Sequence, residues 1–207
     1  MYRKHCNYIW SLILRDARNL QEVKEGRNHG LIYNPLIKSY YYRETAFAAK
    51  IFASDYMATG SLESKERAAL CLDALKSVIG GGKIVRGLDE PVYTPRGVIW
   101  RKGSIPATIL FLESIIESSQ LLDKDYGWCR PFEYLKYLER CYIGGGIFDH
   151  DIVQDRGKVI QVINTSAIAL YYINLCSSLG CKDEMLLGES KIITKRICGA
   201  ICRDGFW

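Results

Sequence analysis

The chain has 207 residues, of which 48% are hydrophobic and 25% charged, as is typical of a folded globular protein with a sizeable core. The net charge of +5 is modest, and Lys and Arg alternate with Asp and Glu. This pattern argues against a nucleic-acid-binding protein, which would gather its basic residues in a patch. The eight cysteines include no CxxC pair, so we expect neither a disulfide framework nor a metal site. Cys198 and Cys202 have helical spacing but lack a partner histidine.

The first segment carries an apolar run from Ile9 to Leu14, followed by Arg15 and Asp16. The run is too short to cross a bilayer, and no small-residue cleavage site follows it. We therefore predict a cytoplasmic protein without a membrane span. The segment also predicts a helix that ends near residues 25–26 and forms the second half of a helical hairpin.

Three later segments each open a predicted helix with a hydroxyl or proline residue next to alanine. They centre on Ala46, Ala107 and Ala167, at a repeat distance of roughly sixty residues. Pro106 suits a first helical turn, and Ser104 is a plausible N-terminal cap for it. Each opening is followed by a second helix-prone segment, so the repeating unit is a helical hairpin.

Glycines follow the second helix of each hairpin, at residues 80–82 and 144–146. Glycine just beyond a helix adopts the left-handed backbone that other residues resist, so we expect both runs to end helices. Loops of about twenty residues come next, which is long enough to suggest a functional role. The only strand candidates are the short runs Lys83–Val85 and Val98–Trp100.

These patterns predict an all-α fold with about three and a half hairpins of roughly sixty residues each. We expect one domain over 1–207, with a half repeat at 1–29 and full repeats at 30–82, 83–146 and 147–207. The repeat is too long for a tetratricopeptide or ankyrin unit.

The third repeat opens with Thr165-Ser166-Ala167-Ile168-Ala169-Leu170, and the chain closes with Arg203-Asp204-Gly205-Phe206-Trp207. Together these segments resemble the repeats of the squalene cyclase and protein prenyltransferase superfamily. The resemblance implies a partial α/α toroid, with inner helices around a central cavity that holds an apolar or peptide ligand. In cyclases of this family an acidic motif precedes an inner helix, but the positions matching it here are Gln161, Ile163 and Asn164. Cyclase activity itself is therefore not expected from that repeat.

A second resemblance lies at the first inner helix. The segment from Tyr41 to Phe47 is similar to the opening of an inner helix in glucoamylase-type (α/α)6 glycosidases, with Glu44 in place of an aspartate. In that family the motif helps to bind sugar. The ion pair that we expect between Glu44 and Arg43 should lower the Glu44 pKa, which disfavours a role as a strong acid.

Asp149, His150 and Asp151 form the densest polar cluster of the chain. A histidine between two carboxylates should titrate near neutral pH, which suits proton transfer. Glycosidases require two carboxylates at a set separation, and this cluster and Glu44 supply candidates. The candidate catalytic residues are therefore Glu44, Asp149, His150 and Asp151, and the candidate ligand-binding residues are Tyr41, Tyr42, Arg43, Trp100, Gln161 and Asn164.

Three functions remain open on these residues. The first is a cyclase-like or prenyltransferase-like toroid protein with an apolar or peptide ligand, and the second is a carbohydrate-active enzyme. The third is a non-catalytic scaffold or subunit. An incomplete toroid would expose apolar flanks, so we also predict a homo-oligomer or a partner chain that completes the ring. The sequence does not identify a cofactor.

Overall fold

A computed structural model describes the backbone of residues 2–79, 88–94, 97–148, 163–181 and 183–204. Most of these residues lie in seven α-helices, which confirms that the fold is mainly helical. The helices are α1 (Tyr2–Leu20), α2 (Tyr42–Thr59), α3 (Leu62–Ile79), α4 (Ile105–Leu121), α5 (Pro131–Arg140), α6 (Ile163–Ser178) and α7 (Glu184–Asp204).

An antiparallel pair of strands precedes each of the helix pairs α2–α3, α4–α5 and α6–α7. The strands are β1 (Tyr33–Asn34), β2 (Ser39–Tyr40), β3 (Leu88–Thr94), β4 (Gly97–Ser104), β5 (Tyr142–Gly144) and β6 (Ile147–Phe148). The prediction of only very short strands was wrong for the middle pair. Those strands have seven and eight residues because their β-branched and aromatic side chains favour extended backbone.

The helix boundaries follow local capping chemistry. Gly60 ends α2 with a left-handed backbone (φ 74°), and its N–H donates to the Tyr56 carbonyl. The Ser104 hydroxyl accepts the Ala107 N–H at 3.4 Å, as expected for the cap of α4. Pro131 occupies the first turn of α5, where backbone N–H groups have no partner within the helix, so the lack of an N–H in proline costs nothing.

Two predicted helix ends were wrong. Helix α1 ends at Leu20 because Gln21 enters a β-bridge with Ile32. Helix α5 ends at Arg140, so Gly144–Gly146 do not terminate it and instead belong to the β5–β6 hairpin. The other glycine run, 80–82, lies outside the described residues.

One kind of hydrogen bond recurs at the start of helices α2, α4 and α6. A hydroxyl in the first turn of the helix accepts the N–H of a residue just upstream, in or next to a strand. The pairs are Thr45 with Ile32 (3.0 Å), Thr108 with Leu88 (2.8 Å) and Ser166 with Phe148 (3.4 Å). All three hydroxyl residues are buried. The hydroxyl–alanine pattern in the sequence therefore marks a buried bond that joins strand to helix.

The chain divides into two compact units, and one of the boundaries between them lies within α4. In the first unit, comprising 1–81 and 111–129, α2 packs on α3, and the two helices bury small residues, including Ala46, Ala49, Ala53 and Ala68. In the second, comprising 82–110 and 130–207, the Tyr134 and Tyr172 rings meet edge to face at 5.8 Å. The Tyr172 hydroxyl also donates to the Pro131 carbonyl at 2.9 Å, which ties α6 to the start of α5.

Within the described ranges, no helix has the length and apolar character needed to span a membrane. The predicted absence of a span agrees with this finding.

Candidate functional site

The start of α2 brings three predicted site residues together, namely Tyr41, Arg43 and Glu44. Tyr41 has an extended backbone (φ −128°, ψ 128°), and the helix begins at the next residue. The Thr45 hydroxyl donates to the Tyr41 carbonyl at 3.1 Å and accepts the Ile32 N–H, so the approach of the chain to the helix is fixed. Arg43 and Glu44 follow in the first turn and are both largely buried.

The Glu44 carboxylate has two partners on one oxygen. Oε1 lies 3.5 Å from Arg43 Nη2 and 3.5 Å from Asn34 Nδ2. The orientation of that amide is set by its own oxygen, which accepts the Leu36 N–H at 2.9 Å in the β1–β2 turn. The second oxygen of Glu44, Oε2, is buried and has no hydrogen-bond partner within the described part of the chain. Glu44 therefore retains one unused polar atom.

The predicted direction of the Glu44 pKa was wrong. Burial disfavours the charged carboxylate and raises its pKa, while the Arg43 guanidinium and the Asn34 amide lower it by less, so the net shift is upward. The expected ion pair does form, but desolvation outweighs it. A raised pKa increases the protonated fraction of Glu44, as a proton donor requires.

The Arg43 guanidinium lies between two aromatic rings. Its central carbon is 5.3 Å from the centroid of the buried Tyr41 ring and 5.9 Å from that of Phe47. Such cation–π contacts hold the guanidinium in place beside Glu44. The start of α2 therefore gathers a carboxyl group, a guanidinium, two aromatic rings and the Asn34 amide of β1.

A partly exposed stripe runs down α2 from this point. Four residues at helical spacing are each partly accessible, namely Glu44, Phe47, Lys50 and Ser54. By contrast, the alanines at positions 46, 49 and 53 are fully buried. These four residues are part of the accessible surface of α2.

Lys50 on this stripe bridges two carboxylates of α4. Its Nζ lies 2.5 Å from Glu113 Oε1 and 2.7 Å from Glu117 Oε2. The Glu113 side chain is only 8% exposed, whereas that of Glu117 is 33% exposed. Glu117 is thus the carboxylate of this pair that a ligand can reach.

The pKa of Glu113 is raised, because burial and the adjacent Glu117 outweigh the lowering by Lys50. Burial lowers the pKa of Lys50, but its hydrogen bonds to the two glutamates dominate and raise the pKa overall. The cluster therefore holds the ammonium in its charged form.

The other predicted site residues do not join this group within the described chain. Tyr42 is half-buried in the first turn of α2, and Asn164 is exposed in the first turn of α6. Trp100 lies on β4 opposite Pro91 and is 42% exposed. The remaining four, Asp149, His150, Asp151 and Gln161, lie outside the described residues.

Sequence reasoning missed Asn34, Lys50, Glu113 and Glu117. The sequence does carry a signal for Glu113 and Glu117, which are the only charged residues of α4 and lie one helical turn apart. An acidic pair in an otherwise uncharged helix with many apolar residues requires a partner for its charge or has a function. Which residue meets the pair could not be read from the sequence, because Lys50 is distant along the chain.

Among the residues whose positions are described, no group of three or more His, Cys, Asp or Glu side chains could hold a metal ion. Comparison of the chain with protein-family models, curated proteins and solved structures gave no match. Any functional assignment therefore rests on the site itself.

Proposed function

We propose that the chain is an arc of an α/α toroid that binds a carbohydrate at the start of α2, where Glu44 donates a proton to a glycosidic oxygen. The observation that carries the proposal is the raised pKa of Glu44, caused by its burial, together with its buried Oε2, which has no hydrogen-bond partner among the described residues. A carboxyl group whose pKa is raised is more often protonated, and in that form it can act as a general acid.

The neighbours of Glu44 favour a sugar as the ligand. Guanidinium and amide groups donate hydrogen bonds to hydroxyl groups, and Arg43 and Asn34 present such groups beside the carboxyl. The Phe47 ring, which is partly exposed on the same face, offers an apolar surface against which a sugar ring can stack. The resemblance of this segment to the sugar-binding helix of (α/α)6 glycosidases points the same way.

An isoprenoid or other apolar ligand is the second candidate, as the cyclase-like repeat implies. The raised Glu44 pKa also favours it, because a protonated carboxyl group can protonate an alkene. The guanidinium of Arg43 argues against it, because this cation lies beside the Tyr41 and Phe47 rings and would repel a carbocation that those rings had to stabilise.

The test uses a glycan array and a panel of glycosides with the purified wild-type chain, Glu44→Gln and Glu66→Gln. Glu66 is an exposed residue of α3, so its variant makes the same change of charge away from the site. We expect the wild type and Glu66→Gln to bind a common set of glycans and to cleave the corresponding glycosides. Glu44→Gln should lose at least tenfold in cleavage rate, about 1.4 kcal/mol of transition-state stabilisation.

The rate should also fall as the pH rises through the Glu44 pKa, because only the protonated form donates. A wild-type chain that binds no glycan and cleaves no glycoside would refute the proposal. If a fluorescent isoprenoid alcohol bound instead, and Glu44→Gln changed that binding, the second candidate would replace the first.

A further inference from the structure

The C-terminus of α6 brings two cysteines together. The helix ends in a Schellman turn, in which Gly180 has a left-handed backbone (φ 90°) and its N–H donates to the Ser177 carbonyl at 3.0 Å. The N–H of Cys181 donates to the Cys176 carbonyl, also at 3.0 Å. This second bond is the outer bond of the turn, and the two residues that it joins commonly have their side chains in contact. In this chain both of those residues are cysteines.

The outer hydrogen bond limits the distance between the two Cα atoms. With standard backbone dimensions, an N···O distance of 3.0 Å between Cys181 and Cys176 keeps their Cα atoms within about 6.9 Å of each other. Disulfides usually join Cα atoms about 4.4–6.8 Å apart, and a separation above about 7 Å cannot be bridged unless the backbone moves. The folded backbone therefore already holds this pair within reach of a disulfide.

The two thiols differ in their access to solvent. Cys176 is fully buried and Cys181 is partly exposed, and both are free cysteines. Burial raises the pKa of Cys176 to about 12, and the nearby Cys181 adds to this effect. Burial and the Asp183 carboxylate raise the pKa of Cys181, while Lys136 lowers it by less. A low thiolate fraction limits unselective oxidation, so Cys181 meets a reagent from solution slowly and Cys176 is the thiol within its reach.

We propose that Cys176 and Cys181 form a reversible disulfide by exchange with a low-molecular-weight disulfide such as oxidised glutathione. The Cys181 thiolate attacks one sulfur of the reagent, whose S–S bond breaks and releases one glutathione. The Cys176 thiolate then attacks the Cys181 sulfur and releases the second glutathione. Two electrons pass from the protein to the reagent, and the protons of the two cysteines end on the two glutathione thiols. Such a single exchangeable pair differs from the disulfide framework of small secreted proteins.

Oxidation of this pair changes the hydrogen bonding of a buried tyrosine. The Tyr172 hydroxyl is hydrogen-bonded to the Cys176 side chain and donates its own proton to the Pro131 carbonyl at 2.9 Å. The Cys176 thiol can donate to the Tyr172 oxygen, whereas a disulfide sulfur has no proton to donate. The oxidation state of Cys176 therefore reaches the contact between α6 and the start of α5.

The test incubates the folded wild-type chain, Cys181→Ser and Cys198→Ser in a glutathione redox buffer and then blocks the remaining thiols with N-ethylmaleimide. Cys198 is exposed on α7, so its variant removes one thiol and leaves the pair intact. Trypsin releases residues 159–182 as one peptide that contains both cysteines of the pair and no other. In the wild type and Cys198→Ser this peptide should carry no maleimide and be lighter by two hydrogen atoms. In Cys181→Ser it should carry one maleimide.

Folding, and not only closeness in sequence, should favour the disulfide. At equilibrium the ratio of disulfide to dithiol should be at least about tenfold higher in the folded chain than in the chain unfolded by urea. Two maleimides on the wild-type peptide, a glutathione that stays on Cys181, or equal ratios in the folded and unfolded chains would overturn the proposal. If circular dichroism shows that Cys181→Ser is unfolded, the wild type and Cys198→Ser decide the matter.

Near-UV circular dichroism tests the link to Tyr172. The spectrum of the wild type should change on oxidation, because the Tyr172 hydroxyl loses the thiol as a donor, and that of Cys181→Ser should not. A wild-type spectrum that stays unchanged while the disulfide forms would overturn this link.

Discussion

Gly30 offers a sharp test of how the strand segments pack on the helices. Its φ is +86°, and a Cβ atom at this position would lie 2.5 Å from the Leu70 carbonyl oxygen and 2.9 Å from Ala74 Cβ, both on α3. Gly60 has a similar φ of +74°, but a Cβ atom there would meet nothing within 4 Å. The two glycines thus share the same backbone requirement and differ only in the space around them.

Replacing each glycine with alanine should therefore have unequal effects on stability. A left-handed backbone in a residue with a Cβ atom costs about 1–2 kcal/mol, and both variants carry this penalty. Gly30→Ala must also displace helix α3, and overpacking of this kind typically adds about 1–3 kcal/mol. We expect Gly60→Ala to lose about 1–2 kcal/mol of unfolding free energy. Gly30→Ala should lose about 2–5 kcal/mol.

Urea unfolding followed by far-UV circular dichroism measures the two losses of unfolding free energy. The losses can be compared because both glycines lie in the first compact unit. Similar slopes against urea in the two variants would show that their free energies can be compared. Equal losses of stability in Gly30→Ala and Gly60→Ala would refute the close approach of residue 30 to α3.

Three further outcomes are expected. Thr45→Val should lose about 1–3 kcal/mol of unfolding free energy, because it leaves the Ile32 N–H without its acceptor. Thr45→Ser keeps the hydroxyl and serves as the control, so it should lose less than about 1 kcal/mol. Lys50→Met should destabilise the chain at pH 7 and do so less in acid. The folded-state pKa of Glu113 is already raised above its ordinary value, and loss of Lys50 raises it further, so stability is lost as the pH rises through that pKa. Urea midpoints of the wild type and Lys50→Met, measured from acid to neutral pH, should differ more as the pH rises. A difference that does not depend on pH would contradict the prediction. Trp10 is 37% exposed on α1, and we expect its ring to help a second copy of the chain to bind. Light scattering should show an assembly in the wild type and a smaller species in Trp10→Glu. A monomeric wild type would contradict the predicted oligomer.

The sequence determined where α4 begins. The Ser104 cap is a local signal, and α4 starts at the next residue, Ile105. The roughly sixty-residue repeat is likewise visible in the sequence, and its hydroxyl–alanine mark corresponds to the buried bonds of Thr45, Thr108 and Ser166.

Tertiary structure decided the chemistry of Glu44. From the sequence, the neighbouring Arg43 predicts a lowered pKa, because an ion pair between adjacent residues is a local interaction. The burial that reverses the shift depends on how the β1–β2 turn and α2 fold together, and no local pattern reports it. The same holds for Lys50, Glu113 and Glu117. The sequence shows the acidic pair of α4, but the contact of this pair with Lys50 of α2 exists only in the folded chain, because the residues are far apart in sequence.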